Sequence, residues 1–197
     1  MHKCVTILID MTSYPKSGGP ISRRVPDGDN KERLVCDTCG YIEYDNPKVV
    51  VGVVATAGDR VLLCKRDIEP QHGFWTLPAG FLEHGETAED GARREAREEA
   101  NADVALEALL AVYSIPRIGM VQLIYRARLN SEAVSAGHET QAVGLFAPDE
   151  IPWDDLAFPS VVWALRQHQE LGDTTVFAPF TNPEGALGAY RPGRPAT

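Results

Sequence analysis

An α/β fold, with a mixed sheet layered between helices, is predicted by three observations. First, a nearly unbroken aliphatic run from Val49 to Ala55 passes through the turn Ala57-Gly58-Asp59-Arg60 and returns as Val61-Leu62-Leu63-Cys64. Continuous apolar runs of that length, joined by a glycine turn, read as paired buried strands. Second, Ala88, Ala92 and Ala96 recur every four residues, which gives a helix with a narrow stripe of small residues on its buried face. Third, strand candidates follow that helix, and a second helix begins at Phe158-Pro159-Ser160, where proline suits the first helical position. Strands before and after one helix, then a terminal helix, suit a mixed sheet covered on both faces.

Residues 1–30 read as an irregular extension. Val5-Thr6-Ile7-Leu8-Ile9 is a short strand candidate, and Tyr14-Pro15, Gly18-Gly19-Pro20 and Pro26-Asp27-Gly28 carry turn chemistry. Residues 31–46 hold a C-x2-C knuckle, Cys36-Asp37-Thr38-Cys39-Gly40. The main domain is assigned to residues 47–170. Asp67 to Gly73 is a loop, Phe74 to Leu77 a short strand, and Pro78 stops it. Thr87 is the helix N-cap, with Asp90 three residues on as a weak capping box and Glu89 and Asp90 near the positive helix end. The helix ends near Asn101. Asp103–Tyr113, Gln122–Leu129 and Thr140–Phe146 are strand candidates, separated by the loop Ile115–Gly119 and the polar turn Asn130–His138. In the last helix Val161, Leu165 and His168 share the inner face, widened by Val162 and Trp163. Residues 171–197, rich in Pro, Gly, Ala and Thr and ending near Arg191-Pro192-Gly193-Arg194-Pro195, read as a flexible tail. No internal repeat is present.

At 197 residues the chain holds one core-bearing domain with small appendages. A net charge of −9 argues against a nucleic-acid surface, but a bound metal reverses the local sign, so phosphate substrates stay open. No stretch approaches the roughly 20 apolar residues of a membrane span, and no basic segment precedes the short apolar patch at Val5–Met11. A cytoplasmic location is expected, without membrane or nucleic-acid partners. The four cysteines, Cys4, Cys36, Cys39 and Cys64, fit a reducing compartment, with Cys64 a small core residue.

The chemistry is placed on Gly80 to Ala102. Glu95, Glu98 and Glu99 occupy positions i, i+3 and i+4 of a helix and therefore share a face. Like charges at this spacing destabilise a helix by a few tenths of a kcal/mol. Such clusters are commonly solvated faces, and Arg93, Arg94 and Arg97 offer weak surface pairs. The wider pattern favours a cation. From Gly80, five residues lead to Glu86, seven more to Arg94-Glu95, and Glu98-Glu99 follow Ala96 and Arg97. This resembles the Nudix box, G-x5-E-x7-R-E-U-x-E-E-x-G-U, U being a bulky aliphatic. All six charged or glycine positions from Gly80 to Glu99 match; Ala96 and Ala102 replace the aliphatics and Asn101 replaces glycine. Asparagine is the next-best residue for a left-handed helix terminus.

The resemblance covers about Pro47 to Gln169 and implies the Nudix α/β/α sandwich. It also implies hydrolysis of a pyrophosphate bond with Mg²⁺ or Mn²⁺, the ligands being Glu95, Glu98 and Glu99 with the carbonyl of Ala79 or Gly80. Glu86 and Arg94 would hold the loop to the helix. The catalytic set would be Glu98, Glu99 and a distal carboxylate. Glu139, from Ala136-Gly137-His138-Glu139-Thr140, is the candidate, against the reading of an exposed loop residue; Glu98 is the alternative base. His84 and His138 read as exposed loop residues. Arg66, Glu69, Trp75 and Glu83 lie where the family contacts phosphates or the nucleoside. Arg66 either grips a phosphate or pairs with Glu69, and Trp75 either stacks on a base or belongs to the core. Pro116, fourteen positions beyond Ala102, is at a distance associated in the family with ADP-ribose hydrolysis. The SQPWPFPxS motif of NADH-specific members is absent, so ADP-ribose or FAD-type dinucleotides are the favoured substrates.

A subgroup of the family carries an N-terminal zinc ribbon of two C-x2-C knuckles, the second followed, as in this chain, by tyrosine and Asn-Pro (Tyr44-Asp45-Asn46-Pro47). Here the first knuckle falls at Tyr14 and Ser17, which lack thiols, so Cys36 and Cys39 read as half of a degenerate site. Cys4 and His2 are the remaining zinc candidates, at poor spacing. The alternative to catalysis is a nucleotide-sensing regulatory domain, and a homodimer is within the habit of the fold.

Overall fold

The computed structural model describes residues 22–189. The strand expected at Val5–Ile9, the positions His2, Cys4, Tyr14 and Ser17, and the end from residue 190 lie outside them. The chain divides into two units between Asn46 and Pro47.

In the first unit three short strands form an antiparallel sheet: β1 (Ser22–Arg24), β2 (Arg33–Val35) and β3 (Ile42–Glu43). The extension expected to be irregular through residue 30 therefore contributes a strand. Its turn is built by Gly28 in the left-handed region and by Asp29, whose carboxylate accepts the Asn30 and Lys31 N–H groups and pairs with Arg33 at 3.1 Å. Short polar side chains bonding their own turn make this kind of corner without a hydrophobic core. The knuckle follows. Cys36 N–H donates to the Tyr41 carbonyl and Gly40 N–H to the Cys36 carbonyl, both at 2.8 Å. Cys36 is buried and Cys39 exposed.

The second unit is built on one mixed sheet. Its strands run in the order β10 (Thr140–Phe146), β5 (Arg60–Arg66), β4 (Lys48–Ala57), β9 (Met120–Leu129) and β8 (Val104–Ile115). Two short strands join it: β6 (Trp75–Thr76) on β5, and β7 (Ala79–Phe81) on β4. Among these strands β4 and β9 pair in parallel and the other pairs are antiparallel. The aliphatic run is explained by its position in the middle. Val51, Val53 and Ala55 face one layer and Val54 the other, so a strand buried on both faces cannot alternate with polar residues.

Helix α1 (Ala88–Ala100) covers the first face through Ala92, Ala96 and Ala100. Helix α2 (Pro159–Leu171) covers the second through Val161, Ala164 and Leu165. His168, expected inside, is half-buried with Nδ1 lacking a hydrogen bond, and burial beside Arg126 lowers its pKa. Thr87 caps α1 as its sequence predicts: its hydroxyl accepts the Asp90 N–H at 3.1 Å and donates to the Asp90 carboxylate at 2.9 Å.

Ala79–Phe81, at the start of the approach to α1, form the strand β7. Its pairing requires close backbone approach to β4: a Cβ on Gly52 would lie 2.5 Å from the Ala79 Cβ. Residues 173–189, expected as part of a flexible tail, return along β8. Phe180 N–H donates to the Leu110 carbonyl and Val112 N–H to the Phe180 carbonyl, at 2.8 and 2.9 Å. Unpaired groups at the edge of β8 are thereby satisfied, which composition alone did not show.

Candidate active site

Strand β7 and helix α1 meet at Gly80. A Cβ there would lie 2.4 Å from both carboxylate oxygens of Glu95. Only glycine lets the helix bring this carboxylate against the strand. Glu95 and Glu99, one turn apart, are 8% and 9% exposed, whereas Glu98 stands at the solvent edge. The three acids predicted to share a face thus divide into two that are buried and one at the rim, and all three line the same cavity.

Burial disfavours charge. It pushes the Glu99 carboxyl up to about 8, against one opposing hydrogen bond from the Ala79 N–H at 3.2 Å. Glu95 is also raised by burial, in spite of Arg94. Neighbouring carboxylates add to both shifts: Glu139 acts on Glu95 and Glu99, and Glu95 on Glu99. Arg94 is surrounded by acids. It makes a two-point contact with Glu86 at 2.8 and 3.1 Å, meets Glu95 at 2.7 Å and Glu98 at 2.8 Å, and donates to the Phe81 carbonyl at 3.0 Å. Glu86 also accepts the Glu83 N–H at 2.8 Å, and Arg94 holds its carboxyl down to about 2. Three of the Arg94 bonds, two to Glu86 and one to the Phe81 carbonyl, join the β7–α1 loop to the helix.

Glu139 reaches the same cavity by a different route. Asn101 ends α1 in the left-handed conformation, φ 46°. Its side-chain amide then does what glycine could not: it donates to Ser135 and to the Ala136 carbonyl. Ser135 N–H and Gly137 N–H donate to the Ala100 and Glu99 carbonyls, each at 3.0 Å. A Cβ on Gly137 would fall 1.7 Å from the Glu98 carbonyl oxygen. The loop before β10 is fastened to the last turn of α1 by Asn101 and Gly137. Neither fastening was foreseen from sequence; the glycine two residues before the candidate acid was the available signal.

The cavity has a volume of about 820 Å³, within the range of small-molecule sites. Ala79, Gly80, Arg66, Glu69 and Glu83 line it. Arg66 touches its own loop and the Phe158 ring. Its Nε donates to the Pro70 carbonyl at 2.8 Å and its guanidinium lies 5.2 Å from the Phe158 ring centre. The Phe158 wall was not anticipated. Gln71 stabilises it from behind, its buried amide donating to the Ala157 carbonyl at 2.9 Å.

Two of the expected substrate residues lie outside the cavity lining. Trp75 does not line the cavity; it packs edge-to-face on Phe146 at 4.9 Å within the α2-side core. Pro116 is exposed at the start of a 3₁₀ turn, and its neighbours Ile115 and Ile118 line the cavity instead. His138, expected to be a plain loop residue, is at the cavity rim, while His84 is exposed and outside it.

In the first unit the Cys36 thiol is lowered by backbone N–H groups of Cys39 and Thr38. Two thiols are half of the tetrahedral set that structural zinc takes. Among the described residues no third His, Cys, Asp or Glu joins them.

Comparison with known proteins agrees with this architecture. The NUDIX domain family model matches residues 46–164, and the Nudix N-terminal zinc-ribbon model matches residues 15–45. The crystal structure of a NUDIX hydrolase from Nitrosomonas europaea superposes with a TM-score of 0.79 at 43% identity, over 85% of this chain and 96% of that one. An ADP-ribose pyrophosphatase of Methanocaldococcus jannaschii is 30% identical over 57% of this chain and 69% of its own length. A MutT-like protein of Streptomyces ambofaciens is 35% identical over 52% of this chain and 64% of its own length. Matched along the domain that carries the glutamate cluster, and again along the ribbon segment before it, the chain belongs to the Nudix hydrolase family.

Proposed function

We propose that the chain hydrolyses the pyrophosphate bond of nucleoside diphosphate derivatives, ADP-ribose or FAD-type dinucleotides, releasing two monophosphates. The observation that carries this reading is the meeting of Glu95, Glu98, Glu99 and Glu139 in one cavity with Arg66 on its wall. The donor set fits a hard divalent cation, Mg²⁺ or Mn²⁺, which binds carboxylate oxygens. Glu95 and Glu99, which burial and then neighbouring carboxylates bias toward holding a proton, can exchange it for a cation, and the glycine cradle at Gly80 brings the Glu95 oxygens to the strand. Glu95, Glu98 and Glu99 would hold the cation, with the Ala79 or Gly80 carbonyl. When bound, the cation supplies charge neutralisation for the diphosphate and acidifies water.

The chain's own groups supply the rest. Glu139 or Glu98 takes the proton of the attacking water at a carboxylate oxygen, and Glu99 contributes charge at the reacting centre. Arg66 binds a phosphate, held in place by Pro70 and Phe158. Glu69 and Glu83 contact the substrate from the rim. Glu86 and Arg94 keep the loop and the helix in register, a positioning role. The retained glutamates support catalysis over nucleotide sensing, and the pyrophosphatase name of the Methanocaldococcus relative supports the ADP-ribose class. Purified protein with Mg²⁺ or Mn²⁺, offered ADP-ribose, FAD, NADH, coenzyme A and diadenosine polyphosphates, tests the proposal. Turnover is expected on ADP-ribose or FAD; an intact fold that cleaves none of them contradicts it.

A further inference from the structure

The NUDIX domain match ends at residue 164, yet one wall of the cavity is made by chain well beyond it. Gly188 lines the cavity beside Ile115. It adopts φ 69°, and a Cβ there would lie 2.6 Å from Ile115 Cδ1. The segment that delivers it is anchored to β8 at two points. The first is the exchange of backbone hydrogen bonds between Phe180 and Leu110 and Val112. The second is Asn182, whose carboxamide takes the place of a peptide: Oδ1 accepts the Ser114 N–H at 2.9 Å and Nδ2 donates to the Ser114 carbonyl at 2.8 Å. Nδ2 also donates to the Ala186 carbonyl at 2.9 Å, folding the strap back toward Gly188. Gln167 of α2 ties it further, through the Thr181 carbonyl at 3.1 Å.

This end of the cavity differs in chemistry from the glutamate end. Ile115, Ile118, Met120 and Ile124 surround it, with Gln122 supplying an amide. Gly80 and Ile115 are on β7 and β8, separated by β4 and β9. Three strand spacings put them on the order of 14 Å apart. That leaves room for a phosphate group and the organic group it carries.

We infer that the C-terminal strap, through Asn182 and Gly188, is a specificity element: it sets how bulky an uncharged organic group the apolar end of the cavity admits. The inference rests on the proposed pyrophosphate hydrolysis and adds the part of the chain that selects among its substrates. A planar, amide-reading group of limited size is favoured, and bulkier ring systems are disfavoured by the wall at Gly188 and Ile115.

Two full-length variants test it in opposite directions. Asn182→Ala releases the strap; Gly188→Ala drives a methyl toward Ile115 while the anchors hold. The readout is the ratio of kcat/KM for FAD to that for ADP-ribose, with Mg²⁺. N182A is expected to raise the ratio at least fivefold, through KM, and G188A to lower it at least fivefold. A purely structural role would depress both substrates together and leave the ratio unchanged. Ratios within twofold of the parent in both variants overturn the inference, as does a change in the same direction in both. Should N182A fail to fold, G188A alone decides by the same criterion. If the parent cleaves neither compound, the hydrolase reading fails separately, and the same ratio is read from dissociation constants of FAD and ADP-ribose.

Discussion

Glu99 concentrates the physical problem of the site. Its carboxyl is raised to about 8 from a usual 4.5, first by burial and then by Glu95 and Glu139. Between those values the folded chain keeps a proton that the unfolded chain releases, so stability falls as pH rises. We predict that metal-free protein loses stability from about pH 4.5 to about 8 and then levels off, the lowered His168 acting in the opposite sense below pH 6.5. Urea midpoints in chelator at successive pH values check this, and Glu99→Gln should flatten the slope. Proton and cation compete for the same oxygens, so Mg²⁺ affinity should rise over the same interval. Arg94 makes the complementary prediction. Arg94→Ala removes charged hydrogen bonds to three carboxylates and one carbonyl. A loss of roughly 2 kcal/mol in unfolding free energy is expected, the magnitude of hydrogen bonds to charged groups, together with weaker Mg²⁺ binding by titration calorimetry. The acids and Arg94 were readable because their spacing is a pattern along one helix. That Glu98 stands at the rim was not, since periodicity places residues on a face without saying how deeply the face is buried.

At the scale of elements, long periodic segments were legible and close approaches were not. The helix α1, with Thr87 before it and Asn101 after it, is explained by capping chemistry and an alanine stripe, both local. Strand β7 and the bonds along β8 depend on partners distant in sequence, and neither Ala79-Gly80-Phe81 nor Phe180 advertises them. Trp75 shows the same limit: a tryptophan beside a motif suggests stacking, but the side chain belongs to the core. The loop carrying Glu139 offers a test of element-level placement. Gly137→Ala puts a methyl 1.7 Å from the Glu98 carbonyl oxygen, so the loop must shift. Steady-state kinetics should show kcat reduced about a hundredfold, the lower end of what an acid–base group contributes, while Mg²⁺ still raises the melting temperature. Asn101→Gly keeps the left-handed terminus but loses the amide bonds to residues 135 and 136, and a smaller loss in the same direction is expected. Equal, negligible effects in both would detach Glu139 from the chemistry.

For the whole molecule, the sheet brings together groups from β5, β7, α1 and the loop before β10, and the strap closes the cavity beside β8. The reaction class is carried by one contiguous stretch and was therefore visible in sequence; the rest of the cavity lining comes from segments that meet only in the fold. Metal binding should couple to global stability, because a ligand that binds only the folded state stabilises it. The most direct measurement is turnover of ADP-ribose by the parent and by Glu99→Gln at saturating Mg²⁺, with melting temperatures recorded alongside. The substitution retains size and removes one charge at the cation. The predicted result is parent activity that chelator abolishes, and a kcat lowered by about two orders of magnitude in the variant, with its fold intact. Loss of less than about tenfold, well short of that magnitude, or parent activity indifferent to chelator, would contradict the assignment of this glutamate cluster as the metal-dependent centre.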